Sequence, residues 1–194
     1  MNNILILSPY PENLIEVIKS YGDKVFVHNE SINVDFLKKL EIDYIVCFGY
    51  KYIICKDVIN YLPNRIFNLH ISYLPFNKGY YPNLWSHIDK TPSGVSIHQI
   101  DEGIDTGKIH FRKKIEIDIR TNTLETSYLT LINEIQKLFF EKWAFIRTGE
   151  SKGFVPKEIG TFHLKKEGDL VLKKLDSGWN TKLYDLVKIK KEKI

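Results

Sequence analysis

Three polar residues in the middle of the chain have the types and spacing of a site for acyl transfer. Asn68 and His70 alternate along one face of an apolar run, which ends at a loop rich in proline and glycine. Asp105 follows in a second loop, Asp-Glu-Gly-Ile-Asp-Thr-Gly. An amide and an imidazole can stabilise an oxyanion, and a carboxylate can set the charge of the imidazole and relay a proton. Brought to a common point, these side chains suit acyl transfer to an amine.

The elements that must position these residues can be predicted from the hydrophobic pattern. Short apolar runs alternate with segments of helical periodicity, which is typical of a parallel sheet covered by helices on both faces and joined by right-handed crossovers. The expected fold class is therefore α/β, with a Rossmann-like, mostly parallel sheet. The predicted strands are residues 3–7, 24–27, 43–47, 65–69, 94–99 and 108–115, and the predicted helices are residues 11–21, 34–40, 57–61 and one that begins near Asn83.

The second half of the chain contains a long amphipathic helix, predicted over residues 122–147. Asn122 and Glu125 have the spacing of a capping box at its start, and Gly149 suits its end. After Ser151 the pattern changes to short strand-like pieces interrupted by glycines, which we interpret as a small C-terminal hairpin appendage. The expected domains are a catalytic domain over residues 1–150 and an appendage over residues 151–194, in which residues 188–193 form a solvated tail.

The predicted fold and the proposed chemistry point to the same place. In open parallel sheets, ligands bind beyond the carboxyl ends of the strands. Asn68 and His70 lie at that end of the predicted fourth strand, and Asp105 lies in the loop between the fifth and sixth strands. The sequence therefore predicts that the three side chains meet at one edge of the sheet.

Composition places the chain among ordinary globular proteins. Of its 194 residues 43% are apolar and 27% charged, and the net charge of +4 fits either an anionic small substrate or a slightly basic surface. No arginine-rich stripe indicates nucleic acid. Cys47 and Cys55 have no spacing typical of metal sites, and we expect Cys47 to be a core residue. No signal peptide or run of 18 apolar residues is present, so we expect a cytoplasmic protein that binds no membrane.

The motifs around the three polar residues resemble those of the folate-dependent formyltransferases. They are Asn-x-His-x-Ser-x-Leu-Pro over residues 68–75, Gly79, Gly-Val-Ser-Ile-His over residues 94–98, and Asp-Thr-Gly over residues 105–107. The family includes methionyl-tRNA formyltransferase, glycinamide ribonucleotide transformylase and the sugar N-formyltransferases. The resemblance covers roughly residues 1–120 and is sharpest over residues 43–110.

The resemblance implies that Asn68, His70 and Asp105 are catalytic, with 10-formyltetrahydrofolate as the co-substrate and no metal. His70, as an imidazolium, and Asn68 would hydrogen-bond the oxyanion, while Asp105 would receive the proton of the amine directly or through a water. In the family, backbone groups after the third strand read the pterin, and the matching positions here are Tyr52 and Ile54. The residues expected to bind the folate are Phe48, Gly49, Tyr50, Tyr52, Ile53, Ile54, His98, Gly103 and Ile104. The alternative for His98 is a hydrogen-bonded core histidine.

Residues 77–85, Asn-Lys-Gly-Tyr-Tyr-Pro-Asn-Leu-Trp, resemble the corresponding loop of the sugar N-formyltransferases. Aromatic faces stack on sugars and bases, and Lys78 could pair with a phosphate or a carboxylate. The residues expected to bind the substrate are Ser72, Lys78, Gly79, Tyr80, Tyr81 and Trp85. For Ser72 a local turn bond is an equal alternative, and for Tyr81 and Trp85 the alternative is packing in the core.

Two other amines are disfavoured by features that the sequence lacks. Glycinamide ribonucleotide transformylases carry a glycine-rich phosphate loop after the first strand, where residues 8–12 here read Ser-Pro-Tyr-Pro-Glu. Methionyl-tRNA formyltransferases add a basic tRNA-binding domain, and we expect the 45 residues after Gly149 to be too few for one.

We therefore expect an N-formyltransferase whose partner is a small-molecule amino sugar, nucleotide-linked or not, and which works in surface polysaccharide biosynthesis. The alternatives are a formyltransferase for another amine, such as glycinamide ribonucleotide or methionyl-tRNA, a catalytically idle folate- or sugar-binding module, and a hydrolase that releases formate. A homodimer is compatible with each of these.

Overall fold

A computed structural model describes residues 1–189 of the chain. The strands are β1 (Asn3–Leu7), β2 (Lys24–His28), β3 (Tyr44–Phe48), β4 (Ile66–His70), β5 (Lys78–Gly79), β6 (Gly94–Gln99), β7 (Ile109–Lys114) and β8 (Phe162–His163). The helices are α1 (Glu12–Ser20), α2 (Val34–Lys39), α3 (Lys56–Tyr61), α4 (Pro82–Ile88), α5 (Leu124–Arg147), α6 (Lys165–Lys173) and α7 (Leu183–Leu186), with a 3-10 helix at Gly178–Asn180.

Six strands form one sheet in the order β2-β1-β3-β4-β6-β7, which confirms the predicted α/β fold with a mostly parallel sheet. β1 pairs in parallel with both β2 and β3, and β3 pairs in parallel with β4. Ile4 and its three successors in β1 are completely buried, because strands covered on both faces carry continuous apolar runs. The chain leaves β1 for one side and returns to β3 on the other, and this reversal of direction is where ligands bind in such sheets.

Contacts within the described chain group it into two compact units, each assembled from separate segments. The first comprises Met1–His70, Ile97–Phe111 and Gln136–Val155. The second comprises Ile71–Ser96, Arg112–Ile135 and the chain from Pro156 onward. The predicted domain boundary, between the catalytic domain and the appendage at residue 150, stays a prediction.

The first unit is organised around apolar side chains from β1, β3 and α3, among them Leu7, Cys47 and Val58. Cys47 is therefore a core residue, and burial raises the pKa of its thiol. At the end of α5, Arg147 donates two hydrogen bonds of 2.7 Å to the carboxylate of Asp23, whose side chain is fully buried.

The second unit has its own apolar cluster, built from α4, α6, α7 and the start of α5. Its buried members are Leu84, Trp85, Ile88, Leu124, Val171, Leu183 and Leu186. In this unit β5 and β8 form a two-stranded parallel sheet, in which Lys78 is paired with Phe162 and Gly79 with His163.

The C-terminal segment differs from the predicted hairpin. It contains the short strand β8 and then the helices α6 and α7, and β8 pairs with β5 rather than with a neighbouring strand of a hairpin. The segment departs from a hairpin because part of it forms an amphipathic helix. Gly168 and Val171 are buried on one side of α6. At the start of the helix, the side chain of Glu167 accepts a 2.7 Å hydrogen bond from the N–H of Leu164.

The cap of α5 also differs from the prediction. At the start of the helix, the N–H of Thr126 donates to Oγ1 of Thr123 at 3.2 Å, and the N–H of Thr123 donates to Oγ1 of Thr126 at 2.9 Å. The predicted pair was Asn122 and Glu125. The end agrees, because Gly149 has φ +72° and its N–H donates to the carbonyl of Ile146.

Within residues 1–189, no helix is both long enough and apolar enough to cross a membrane. Most of the predicted solvated tail, from residue 190 onward, lies outside the described residues.

Candidate active site

Strand β4 brings two of the three predicted catalytic residues to one end of the sheet. β1, β3 and β4 are parallel, so their carboxyl ends share an edge, at Leu7, Phe48 and His70. Asn68 and His70 are two residues apart and therefore point to the same face of the strand. His70 is 8% exposed.

The third residue, Asp105, lies within reach of both. Its Oδ1 is 3.3 Å from Nδ2 of Asn68, and its Oδ2 is 3.6 Å from Nε2 of His70. The side chain of Asp105 is 12% exposed. The structure thus brings together the amide, the imidazole and the carboxylate that the sequence placed in two distant segments.

A fourth side chain, His98 of β6, completes this group. Its Nε2 is 3.3 Å from Oδ1 of Asp105 and 3.2 Å from Nδ2 of Asn68, and its Nδ1 is 2.7 Å from the carbonyl oxygen of Gln99. Its ring stands at 89° to that of His70, with 6.0 Å between the ring centroids. The assignment of His98 to the folate stays a prediction. Its contacts are with the predicted catalytic residues Asn68, His70 and Asp105.

The loop that carries Asp105 is held by Asp101 and Thr106, neither of which was predicted to be a site residue. Oδ1 of Asp101 accepts hydrogen bonds from the N–H of Gly103 at 3.1 Å and from Oγ1 of Thr106 at 2.6 Å. These bonds bracket Asp105, whose φ of +52° is rare for a residue with a side chain. The signal in the sequence is an aspartate two residues before a glycine, which is the pattern of an Asx turn.

A close backbone approach fixes the other end of this loop. A Cβ atom on Gly107 would lie 2.0 Å from the carbonyl oxygen of Gln99, the same oxygen that faces Nδ1 of His98. Only glycine fits there without moving the backbone. The loop and β6 are therefore packed together where His98 and Asp105 meet.

This arrangement can stabilise negative charge and accept a proton at one place. Imidazole and amide groups can donate to a developing oxyanion, and the carboxylate can take a proton from a nucleophile. The largely buried setting strengthens these interactions, because the effective dielectric constant is lower there than in water.

The segment after β3 has the properties expected of a surface for a flat ring with polar edges. The backbone N–H and C=O groups of residues 51–54 make no hydrogen bond within the described chain. Tyr52, Ile53 and Ile104 have exposed fractions of 39%, 88% and 48%, although large apolar side chains are usually buried. Ile54 instead points its side chain into the core.

The first residues of this segment serve to shape it. Phe48 is buried at the end of β3, and Gly49 follows with φ +65°. The hydroxyl of Tyr50 donates to the carbonyl of Glu30 at 2.7 Å, and burial raises the pKa of Tyr50 to about 12. Its ring centroid is 5.5 Å from that of Tyr52.

Two of the predicted substrate residues, Ser72 and Trp85, have partners within the described chain. Ser72 is buried, and its hydroxyl donates to the carbonyl of Phe76, which is the turn bond left open as its alternative. Trp85 is 3% exposed and stacks on His163, with ring centroids 4.1 Å apart and planes at 5°. His163 is in turn 3.1 Å from a carboxylate oxygen of Asp89. These contacts fit the alternatives of core packing for Trp85 and a turn bond for Ser72, and the assignment of both residues to the substrate stays a prediction.

The remaining substrate residues lie on or next to β5. Lys78 is partly exposed, and its ammonium group has no carboxylate partner in the described chain. Gly79 is bonded to β8, and Tyr80 is 46% exposed. The hydroxyl of Tyr81 donates to Asp169 at 2.6 Å, which raises the pKa of Tyr81.

Among residues 1–189, no group of three or more histidine, cysteine and acidic side chains could hold a metal ion.

Comparison with known proteins gives a consistent result. A family described as formyl transferase matches residues 12–142. A similar solved structure is that of the formyltransferase PseJ from Anoxybacillus kamchatkensis in complex with UDP-4,6-dideoxy-4-formamido-L-AltNAc and tetrahydrofolate. It is 38% identical to this chain with a TM-score of 0.89, and the match covers 95% of this chain and 97% of that one.

Two curated relatives match over shorter stretches. The dTDP-4-amino-4,6-dideoxyglucose formyltransferase of Mycobacterium tuberculosis is 31% identical over 112 residues, which are 58% of this chain and 47% of that protein. The methionyl-tRNA formyltransferase of Kosmotoga olearia is 31% identical over 146 residues, which are 73% of this chain and 47% of that protein. The chain thus spans about half the length of these curated relatives.

Proposed function

The chain belongs to the formyl transferase family, and from this premise we propose that it is an enzyme that transfers a formyl group from 10-formyltetrahydrofolate to the primary amine of a nucleotide-linked amino sugar. The observation that carries the choice of substrate is the similarity to PseJ, because it extends over nearly the whole of both chains. The match to the methionyl-tRNA formyltransferase of Kosmotoga olearia has a lower identity of 31% and covers 47% of that protein.

In this proposal the residues of β4 and of the Asp105 loop perform the transfer. His70 and Asn68 donate hydrogen bonds to the formyl oxygen as negative charge develops on it. Asp105 accepts the proton that the amine loses as its nitrogen bonds to the formyl carbon. Each group contributes through its position, since the side chains already contact one another at 3.3 and 3.6 Å.

Residues 51–54 and Ile104 fit the folate. Their unpaired backbone groups can bond the polar edge of a pterin, and the exposed side chains of Tyr52, Ile53 and Ile104 offer apolar contact to its rings. The bound folate supplies the formyl group on a nitrogen that can leave.

A panel of amines tests the substrate. The purified protein is incubated with 10-formyltetrahydrofolate and UDP- or dTDP-linked amino sugars, glycinamide ribonucleotide or methionyl-tRNA, and the formylated product is quantified by mass spectrometry. We expect an amino sugar to be formylated fastest. If methionyl-tRNA or glycinamide ribonucleotide reacts faster than every sugar, the sugar assignment fails while formyl transfer stands. Formate release at the same rate without any amine would instead indicate a hydrolase.

Lys78 offers a separate test of substrate binding. Its ammonium group has no carboxylate partner in residues 1–189 and suits a phosphate. Lys78→Ala should raise the KM for the sugar roughly tenfold or more, as expected for loss of a charged hydrogen bond, and change the KM for the folate little. Lys114→Ala, which removes another exposed lysine of the second unit, is the matched control. Equal KM values for Lys78→Ala and the wild type would remove Lys78 from the site.

A further inference from the structure

The two-stranded sheet of the second unit has one buried face and one exposed face. His163 of β8 is buried and stacks on Trp85, so its side chain points into the second unit. Successive side chains of a strand point to opposite faces of the sheet. Phe162 therefore points to the outer face, and its exposed fraction of 44% agrees with this direction.

A lysine lies beside Phe162 on the outer face. Lys78 of β5 is the register partner of Phe162 in the parallel pair, and paired residues of parallel strands point to the same side. Because neighbouring strands are about 4.8 Å apart, the two side chains leave the sheet next to each other. Tyr80, which directly follows β5, is also exposed. The outer face thus presents an ammonium group beside an aromatic ring, with a second ring at the end of β5.

Glycine at position 79 allows the ring of Phe162 to lie against β5. A Cβ atom on Gly79 would lie 2.4 Å from the carbonyl oxygen of His163 and 3.1 Å from Cε2 of Phe162. A side chain there would therefore push β8 and the ring away from β5. Because the ring is already placed in the protein without a ligand, binding does not have to order it.

Thr161 and Asn77 hold the two strands together through buried polar contacts. The N–H of Lys78 donates to the carbonyl of Thr161 at 3.0 Å. Oγ1 of Thr161 accepts a 2.7 Å hydrogen bond from the N–H of Asn77 and donates to Oδ1 of Asn77 at 3.2 Å. Asn77 is completely buried, and its Nδ2 donates to Oγ1 of Thr91 at 2.8 Å. The spacing of Lys78 and Phe162 is thus set by the fold and not by the two exposed side chains themselves.

A cation beside an exposed aromatic ring suits a ligand that carries negative charge near a flat ring. Lysine pairs with phosphate as a point charge. Aromatic side chains stack on bases of any identity, because every base has a π-face. A nucleoside diphosphate offers both groups in one molecule, whereas a free sugar offers neither and a phosphate alone would leave the ring of Phe162 unused.

We propose that Phe162 is a substrate-binding residue, whose ring stacks on the base of a nucleoside diphosphate while Lys78 pairs with the phosphates. The proposal rests on the proposed function, in which this nucleotide carries the amino sugar. Sequence spacing could not identify Phe162, because β8 is brought to β5 only by the fold.

Calorimetric titration of UDP and of dTDP into the full-length protein, without folate, tests the stacking. We expect Phe162→Leu to raise the Kd for both nucleotides by about 5- to 150-fold, the range that corresponds to one base stacked on an aromatic side chain. Phe162→Tyr, which keeps an aromatic face, should bind within about threefold of the wild type. Phe140→Leu is the matched control, since it makes the same change at an exposed phenylalanine of α5 in the first unit.

Two results with these variants would overturn the proposal. One is an equal Kd for Phe162→Leu and the wild type. The other is an equal loss of affinity in Phe162→Leu and Phe162→Tyr, because that would indicate a disturbed β8 and not the loss of a stacking ring.

Failure of this inference can be distinguished from failure of the proposed function. If the wild type bound neither UDP nor dTDP at millimolar concentration, the stacking and the nucleotide-linked substrate would both be overturned, whereas formyl transfer to the panel of amines would still be measurable. In turnover, Phe162→Leu should raise the KM for the nucleotide-linked sugar by the same factor as the Kd and change the KM for the folate by less than about threefold. An unchanged KM for the sugar in a variant that has lost affinity for UDP would place the nucleotide outside the substrate site and overturn the assignment.

Discussion

The charge of Asp105 should be the most sensitive feature of the candidate site. Asp105→Asn keeps the size and shape of the side chain and removes its negative charge. The contacts of Oδ1 with Asn68 and His98, at 3.3 Å each, and of Oδ2 with His70, at 3.6 Å, would then be made by a neutral amide.

The magnitude follows from these distances. A unit charge pair at 3.3–3.6 Å attracts by about 5 kcal/mol at an effective dielectric constant of about 20, and the side chain is only 12% exposed. Asp105→Asn removes this attraction for whichever imidazole is protonated. In the proposed mechanism it also removes the group that accepts the amine proton, an effect of about 100- to 10,000-fold on rate. We therefore expect kcat to fall by at least 100-fold.

The assay is steady-state formyl transfer to the best amino sugar between about pH 6 and pH 9, together with thermal unfolding of each variant. Asp35→Asn, a change of the same chemistry in the first turn of α2, serves as the control, because Asp35 is exposed and distant in sequence from the site. We expect the control to match the wild type in rate and both variants to remain folded.

The reasoning would be refuted if Asp105→Asn retained kcat within tenfold of the wild type across that pH range. A loss confined to a protein with a much lower unfolding temperature would also count against it, since the proposed effect is electrostatic and local.

Other predictions concern stability and the surroundings of the site. Asp23→Asn should lower the free energy of unfolding by about 3 kcal/mol in urea titrations, because it disrupts a bidentate buried ion pair with Arg147. Burial alone would raise the pKa of Asp23, but the bonds from Arg147 and the N–H of Asn2 hold it below its usual 3.8. The difference from the wild type should therefore be full above about pH 4 and shrink as the pH falls further; a constant difference would contradict this. Gly107→Ala should cost about 1–3 kcal/mol of stability and lower kcat, because the new methyl group would displace the carbonyl of Gln99. Chelator treatment should leave turnover unchanged, and loss with rescue by a divalent cation would show otherwise.

The sheet and the polar site could be predicted because their signals are local. The strands of the sheet begin and end within one residue of the predicted positions, since buried parallel strands are continuous apolar runs bounded by polar or turn residues. The alternation of Asn68 and His70 at the end of such a run placed them on one face. Nothing local ties the loop of Asp105 to β4, so its place beside them rested on the chemistry that the three side chains suit together and on the resemblance to known motifs.

The C-terminal segment could not be predicted because its structure depends on distant contacts. Gly168 looked like a turn residue, yet it lies inside α6, where a Cβ would come 2.2 Å from the ring of Tyr81. Trp85 could be a substrate contact or a core residue from its sequence context, because its stacking partner His163 lies far along the chain. Likewise, the spacing of Asn122 and Glu125 predicts a capping box at the start of α5, and local spacing does not show that Thr123 and Thr126 form the cap.

The apolar cluster of the second unit has a consequence for any attempt to shorten the protein. Val171 of α6 and Leu183 and Leu186 of α7 lie near the end of the described chain and pack with Leu84 and Trp85 of α4. A protease or a stop codon that removed this segment would leave α4 with its tryptophan uncovered, and we expect the remainder to aggregate rather than persist as a smaller enzyme. The segment would thus be inherited together with α4, and we expect that neither could be exchanged between relatives without the other.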